Sequence, residues 1–241
     1  IAAGAQVTLL QRSPTYVISL KEAQRVYMIY TQGLPVEDCD LIGTSYPYRA
    51  LLRAYQVATD ETTRADHKLL DDLAAADFRL DVQPGDYGFQ LRYLERGGGY
   101  YFNVGCSNLI IDGKVKLMQY SDIDRFVAAG ARMCDGSTTP ADLIVLATGY
   151  LGQQEVARRL LGDEIAERIG PVWGFDEGGE LRNMWRRTRQ KGLWFHAGSL
   201  AQCRIFSRFL ALQIKACEEG LIPLASPDAN HTARREAAGT T

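Results

Sequence analysis

Asp142-Leu-Ile-Val-Leu-Ala-Thr-Gly149 is the stretch on which the reading of the fold turns. After Asp142 the run is apolar as far as Ala147 and does not alternate with polar residues. A strand of that kind is covered on both faces, as strands of parallel sheets are. The Thr148-Gly149 ending brings backbone without a Cβ to the strand end, where another segment or a cofactor can approach closely. A plain core strand followed by a turn accounts for residues 142 to 147 as well, but gives no reason for the Ala-Thr-Gly ending.

Working upstream, Gln6 to Leu10 forms a second short apolar strand. Before it, Ile1-Ala-Ala-Gly-Ala5 reads as the last turn of a helix closed by Gly4. Domains rarely open on the end of a helix, so this reading expects a strand, a glycine-rich turn and most of a helix upstream of Ile1. Helical patterns are expected over Ser19 to Thr31 and over about Tyr48 to Ala76, with a break between Thr59 and Lys68. Gln32 to Tyr46 carries turn residues, and Phe89 to Glu95 is a short helix. Tyr100 to Val104 is extended. Leu109 to Ile111 and Lys114 to Met118 flank Asp112-Gly113, which predicts a β-hairpin. Ile123 to Ala128 and Ala131 to Cys134 are further strands.

Downstream, Gln154 to Leu161 and Asp163 to Arg168 are expected as helices, and Gly170 to Gln190 as irregular chain. Leu193 to His196 is a buried strand, and Phe206 to Gly220 is a helix. Pro223 to Thr241, poor in large apolar residues, is a disordered tail. The pattern predicts an α/β chain.

With 241 residues the chain is long enough for one or two domains. A net charge of −2 gives no ground for general affinity to nucleic acid or acidic membranes. No apolar run approaches the roughly 20 residues that span a bilayer. The cysteines (Cys39, Cys106, Cys134, Cys203 and Cys217) are widely spaced and form no Cys-x-x-Cys pair. That favours a reduced, intracellular protein and gives neither a zinc site nor a dithiol redox centre.

Three places carry chemistry. At the end of the first strand stand Gln11-Arg12-Ser13. In dinucleotide-binding folds an acid at that position holds the 2′-hydroxyl of NAD, whereas an arginine accommodates the 2′-phosphate of NADP. Arg12 offers a charged planar fork and Ser13 a hydroxyl, though an ordinary exposed strand-end arginine looks the same. The second place is Thr148-Gly149. The third is Leu193-Trp-Phe-His-Ala-Gly-Ser-Leu200, where a strand meets a helix start, a natural anion or carbonyl site. His196 within it reads as a structural, hydrogen-bonded histidine, and Arg204 fits a phosphate ligand or a salt-bridge partner.

Taken in order, six segments resemble the flavin-containing monooxygenase family, with a microbial or fungal flavour related to YUCCA-type and Baeyer–Villiger enzymes. They are Gln11 to Val17, Gly97 to Gly105, Leu109 to Lys114, Ala141 to Tyr150, Gly192 to Gly198 and Ser207 to Ala216. The resemblance covers residues 1 to 222. It implies a two-dinucleotide, Rossmann-like architecture that is N-terminally truncated here. Residues 1–149 would be the remainder of the NADPH domain with a helical insertion at about 27–95, and 150–222 the C-terminal part of the FAD domain. It further implies a cytoplasmic enzyme in which NADPH reduces FAD and a peroxyflavin passes one oxygen atom from O2 to a small organic substrate. Arg12 and Ser13 would hold the NADPH 2′-phosphate. Thr148 and Gly149 would lie near both cofactors, and Gly198, Ser199 and Leu200 near the flavin ring. Two features depart from the family: Ser199 stands where asparagine is common, and no Gly-x-Gly-x-x-Gly turn occurs. The chain alone is therefore expected to hold FAD weakly and not to catalyse. A non-catalytic nucleotide-binding or interaction module, and a related NADPH-dependent flavin reductase, are the alternatives. The substrate is not legible.

Overall fold

The structure, a computed structural model, describes residues 1–226. It is a mixed α and β fold with small sheets, and it divides into two compact units, Ile1–Gly149 and the residues from Tyr150 onward.

In the first unit β1 (Val7–Gln11) and β2 (Tyr16–Ser19) are followed by α1 (Leu20–Ala23), which continues as a 3-10 helix over Gln24–Thr31. Then come α2 (Val36–Thr44), α3 (Tyr48–Ala65), α4 (His67–Ala75), α5 (Gly88–Arg96), β3 (Tyr100–Asn103), α6 (Cys106–Ile111) and β4 (Val115–Gln119). A short antiparallel sheet closes the unit with β5 (Ile123–Val127), β6 (Gly130–Met133) and β7 (Thr138–Pro140). The other pairings are parallel: β1 runs beside β4 from Val7↔Val115 to Gln11↔Gln119, and β2 beside β3. A parallel bridge, Thr15↔Leu80, extends the second pair.

The core explains these elements. Val17, Leu70, Leu73, Phe78, Ile110 and Val115 are buried together, with Leu9, Leu80, Tyr101 and Leu117 packed around them. Burying each such side chain contributes about 1.5–3 kcal/mol. Helix α4 supplies Leu70 and Leu73 from one face and ends in a tight turn. There Phe78 donates its N–H to Leu73 at 3.0 Å, and Asp77 takes the left-handed φ of +60°. That pairing of two backward hydrogen bonds with an apolar contact is the Schellman pattern. It drops Phe78 into the core and places Arg79 just outside it.

On the far side of β2, Tyr16 is buried beneath the Arg92 guanidinium, which stands 4.8 Å from its ring centre. Arg92 in turn grips Asp81 at 2.9 Å and Asp86 at 2.6 Å. Burial pushes the Tyr16 hydroxyl above its usual range. Burial also acts to raise the Asp86 carboxyl, but hydrogen bonds from Arg92 and from the Gly88 N–H outweigh it, and the carboxyl is held below the usual range.

Helix α9 (Leu200–Glu218) dominates the second unit, with α7 (Gln153–Leu161) and α8 (Asp163–Ile169) before it. Ala157, Ile169, Val172, Met184, Trp185 and Leu210 form its core. The irregular stretch between α8 and α9 is fastened by side chains. Asn183 donates to the carbonyls of Ile169 and Pro171, and fully buried Thr188 donates to Gln190 and Leu193.

Five sequence expectations need correction. Residues 142–147 form no strand, and Leu143, Val145 and Leu146 are 79%, 76% and 73% exposed. An apolar run shows that a segment is suited to burial, but a strand also needs a neighbouring edge to hydrogen-bond, and none of the described strands pairs with this segment. Leu109 to Ile111 is the end of α6, not half of a hairpin. Gly113, at φ +70°, donates to Ile110 while Lys114 donates to Leu109, so Asp112-Gly113 caps a helix. Residues 36–44 are helical despite their turn composition, because Pro35 opens a helix whose Cys39 is fully buried. Residues 193–196 make one isolated bridge, Met184↔Phe195, in place of a strand. Finally, residues 223–226 are fixed: Ser226 donates to the Thr188 carbonyl at 2.8 Å, and Arg187 donates to those of Pro223 and Ala225. The rest of the expected tail, 227–241, lies outside the described residues.

Candidate functional site

The first candidate site is built at the carboxyl end of β1. Gln11, the last residue of that strand, is only 5% exposed. Its carboxamide turns sideways and binds the main chain of Arg79. The Nε2 group donates to the Arg79 carbonyl at 2.8 Å, and Oε1 accepts the Arg79 N–H at 3.0 Å. Gln119, the register partner of Gln11 on β4, donates to the same Oε1 at 3.3 Å and to the Asp77 carbonyl at 3.4 Å. Two glutamines thus tie residues 77–79 to the strand end.

Beyond this clamp the chain turns outward. Arg12 and Ser13 are exposed, as is Arg79. The Arg79 guanidinium donates through Nη2 to the Arg12 carbonyl at 3.1 Å. Neither arginine side chain forms an ion pair among the described residues, and no carboxylate stands at the strand end itself, where Gln11, Arg12 and Ser13 follow one another. Sequence reasoning singled out Arg12 and Ser13 and missed Arg79 and Gln11. Nothing local marks Arg79. Its place depends on the turn after α4 and on a glutamine 68 positions away.

The second candidate site is the start of α9. Ser199 and Gln202 form a reciprocal capping box: the Ser199 hydroxyl accepts the Gln202 N–H at 3.3 Å, and Gln202 Oε1 accepts the Ser199 N–H at 3.1 Å. Gly198 has φ +99°. A Cβ there would lie 2.5 Å from Gln202 Oε1 and 3.2 Å from the ring of Trp185. The space that glycine leaves is therefore taken up by this chain's own side chains, and a cofactor is not required to account for it. Leu200 is 90% exposed.

Trp185, beneath this turn, is unusual in two ways. It is 5% exposed yet has φ +52°, which costs a bulky residue about 1–3 kcal/mol. Its buried Nε1 has no hydrogen-bond partner among the described residues. Stacking on Phe206, with ring centres 4.7 Å apart, and a 2.9 Å hydrogen bond from Gln213 to its carbonyl hold it there.

The remaining sequence candidates are placed differently. Thr148 and Gly149 are exposed in the irregular segment that ends the first unit. His196 is exposed and makes no hydrogen bond among the described residues, so it is not the structural histidine expected from its neighbours. All five cysteines are free, with Cys39 and Cys217 buried. Among the described residues no group of His, Cys, Asp and Glu side chains could hold a metal ion, and no helix is long and apolar enough to cross a membrane.

The groups at the β1 end suit a 2′-phosphate, which would find exposed guanidinium groups and a hydroxyl there and no acid within Gln11-Arg12-Ser13. FAD fits less well. The sequence has no glycine-rich turn to seat its pyrophosphate, and the space above Gly198 is already filled. No protein-family model matches the chain, and no curated protein matches it.

Proposed function

We propose that the first unit binds the adenosine end of NADPH, and that the chain is part of an FAD-dependent monooxygenase that uses NADPH and O2 to oxygenate a small organic substrate. One observation supports this reading above the others: a parallel strand, β1, ends in exposed Arg12 and Ser13 with no acid. Ligands of open parallel sheets sit outside the carboxyl ends of the strands, and an arginine there selects the phosphorylated ribose. The finer fold we propose is a partial Rossmann-like pair of dinucleotide-binding domains. The parallel pairings of the first unit support it, and the sequence resemblance supplies the rest.

In this reading the guanidinium fork of Arg12 and the hydroxyl of Ser13 would hold the 2′-phosphate. Bound NADPH supplies a hydride. The protein's part at this end is to fix the adenosine so that the nicotinamide is presented in one place. FAD, the flavin-side roles of Gly198, Ser199 and Leu200, and the position of Thr148 and Gly149 near both cofactors rest on the resemblance.

The test is titration of the chain with NADPH and NADH, followed by nicotinamide fluorescence. NADPH should bind more tightly. Arg12→Ala should weaken NADPH by about 1.5–3 kcal/mol, the usual worth of hydrogen bonds to a charged group, and should spare NADH. Equal losses for the two nucleotides would refute the assignment. Incubation of this chain with FAD should give a flavin-to-protein absorbance ratio well below stoichiometric, and a stoichiometric ratio would overturn the expectation that it holds FAD weakly.

A further inference from the structure

We propose that Arg79 is a second phosphate ligand at the carboxyl end of β1, and that it sets the preference for a 2′-phosphorylated adenosine together with Arg12. The inference rests on the reading that this strand end receives the adenosine of NADPH.

Arg12 and Arg79 are exposed at the same corner, where the Arg79 guanidinium reaches the Arg12 main chain, and an exposed arginine is normally balanced by an acid. Here the acids are otherwise engaged or unpaired. Asp81, two residues after Arg79, is held by Arg92 at 2.9 Å and Arg96 at 3.4 Å. Asp77, two residues before it, forms no ion pair among the described residues and lies in the left-handed turn that closes α4. Arg79 instead leans on the Arg12 carbonyl through one N–H, which leaves most of its fork uncommitted. A dianionic phosphate bound at this corner would accept from both guanidinium groups.

The backbone of Arg79 is also fixed to a degree unusual for an exposed residue. Its N–H and its carbonyl are both bonded to the buried Gln11 side chain, and Gln119 braces that side chain from β4. The cation is thus attached to the end of β1 almost as if it belonged to that strand. Such preorganisation lowers the ordering cost of binding. It also separates function from folding: the clamp holds the main chain of residue 79, so a change of its side chain leaves every clamp hydrogen bond in place.

The experiment is isothermal titration of the full chain, and of its Arg79→Ala, Arg79→Lys and Arg12→Ala variants, with adenosine 2′,5′-bisphosphate and with 5′-AMP. Thermal melts are run on each protein. The unsubstituted protein should prefer the bisphosphate. Arg79→Ala should weaken the bisphosphate by about tenfold or more, as expected for a lost charged hydrogen bond, and should leave 5′-AMP within about twofold and the melting temperature unchanged. Arg79→Lys should fall between, because it keeps the charge and loses the fork. If Arg12→Ala abolishes the preference while Arg79→Ala leaves it intact, the role of Arg79 is overturned and the nucleotide reading stands. If the unsubstituted protein shows no preference, or neither alanine variant alters it, both are overturned.

Discussion

The end of β1 and the start of α9 are both strand-to-loop or loop-to-helix corners where a nucleotide cofactor would be sought, yet they use their polar groups in opposite ways. At β1 the neutral side chains face inward. Gln11 and Gln119 consume the backbone groups of residues 77–79, and the charged groups of Arg12 and Arg79 remain outside. At α9 Ser199 and Gln202 satisfy one another in a capping box, and the Trp185 ring, whose Nε1 has no partner among the described residues, fills the space beside Gly198. Binding capacity is what remains after internal hydrogen bonding is complete. By that measure the first corner keeps charged groups exposed toward solvent, and the second turns most of its polar groups and its space inward.

The comparison can be broken by substitutions that separate stability from binding. Gly198→Ala has the largest expected effect. The added Cβ must adopt φ +99° and displace either the capping Gln202 or the Trp185 ring, for a loss of about 3 kcal/mol in urea unfolding. Adenosine 2′,5′-bisphosphate affinity should not change. If it falls, the α9 corner is no mere joint. Gln11→Ala comes next. It leaves the Arg79 N–H without its partner, while the Arg79 carbonyl keeps the Thr15 N–H at 3.0 Å, and should cost about 1–2 kcal/mol, with bisphosphate binding weakened in parallel. Loss of stability with unchanged binding would mean that the clamp does not position the cation.

A pH titration sharpens the comparison from another side. The Asp86 carboxyl is depressed in the folded state, so its stabilising contribution is present above its unfolded pKa of about 3.9 and is lost as pH falls through the lower, folded value. Acid unfolding should therefore weaken the first unit, and Asp86→Asn should flatten that limb. A limb unchanged in the variant would discard Asp86 as its origin. The smallest effect belongs to Asp77→Gly. Glycine adopts φ +60° without strain, so this change should raise stability by up to about 1 kcal/mol and leave the position of Arg79 intact.

What the sequence disclosed and what it hid follow a physical line. Local periodicity was enough for α5, α7 and α8, and for the body of α9, whose start at Leu200 lies six residues before the expected Phe206. Arg12 was visible because strand ends have a known chemistry. Asp112-Gly113 misled because the same dipeptide serves a hairpin and a helix C-cap, and only the register of Leu109 and Ile110 tells them apart. Leu143 to Ala147 misled because hydrophobicity carries no information about which edge will pair. Arg79 and Gln11 could not be joined by any local signal, since the hydrogen bonds that define the site span most of the first unit.

That last property has a kinetic side. Gln11 and Gln119 are 108 positions apart, and the Gln11–Arg79 bonds close a loop of 68. Closing such loops costs chain entropy before any contact rewards it, so long-range parallel pairings form slowly. The two arginines therefore come together only when β1, the turn after α4 and β4 have all assembled. A phosphate ligand that needs them both is blind to partly folded chains. It should slow unfolding and leave the rate of folding nearly unchanged, so the nucleotide binding proposed above would report on the completed first unit.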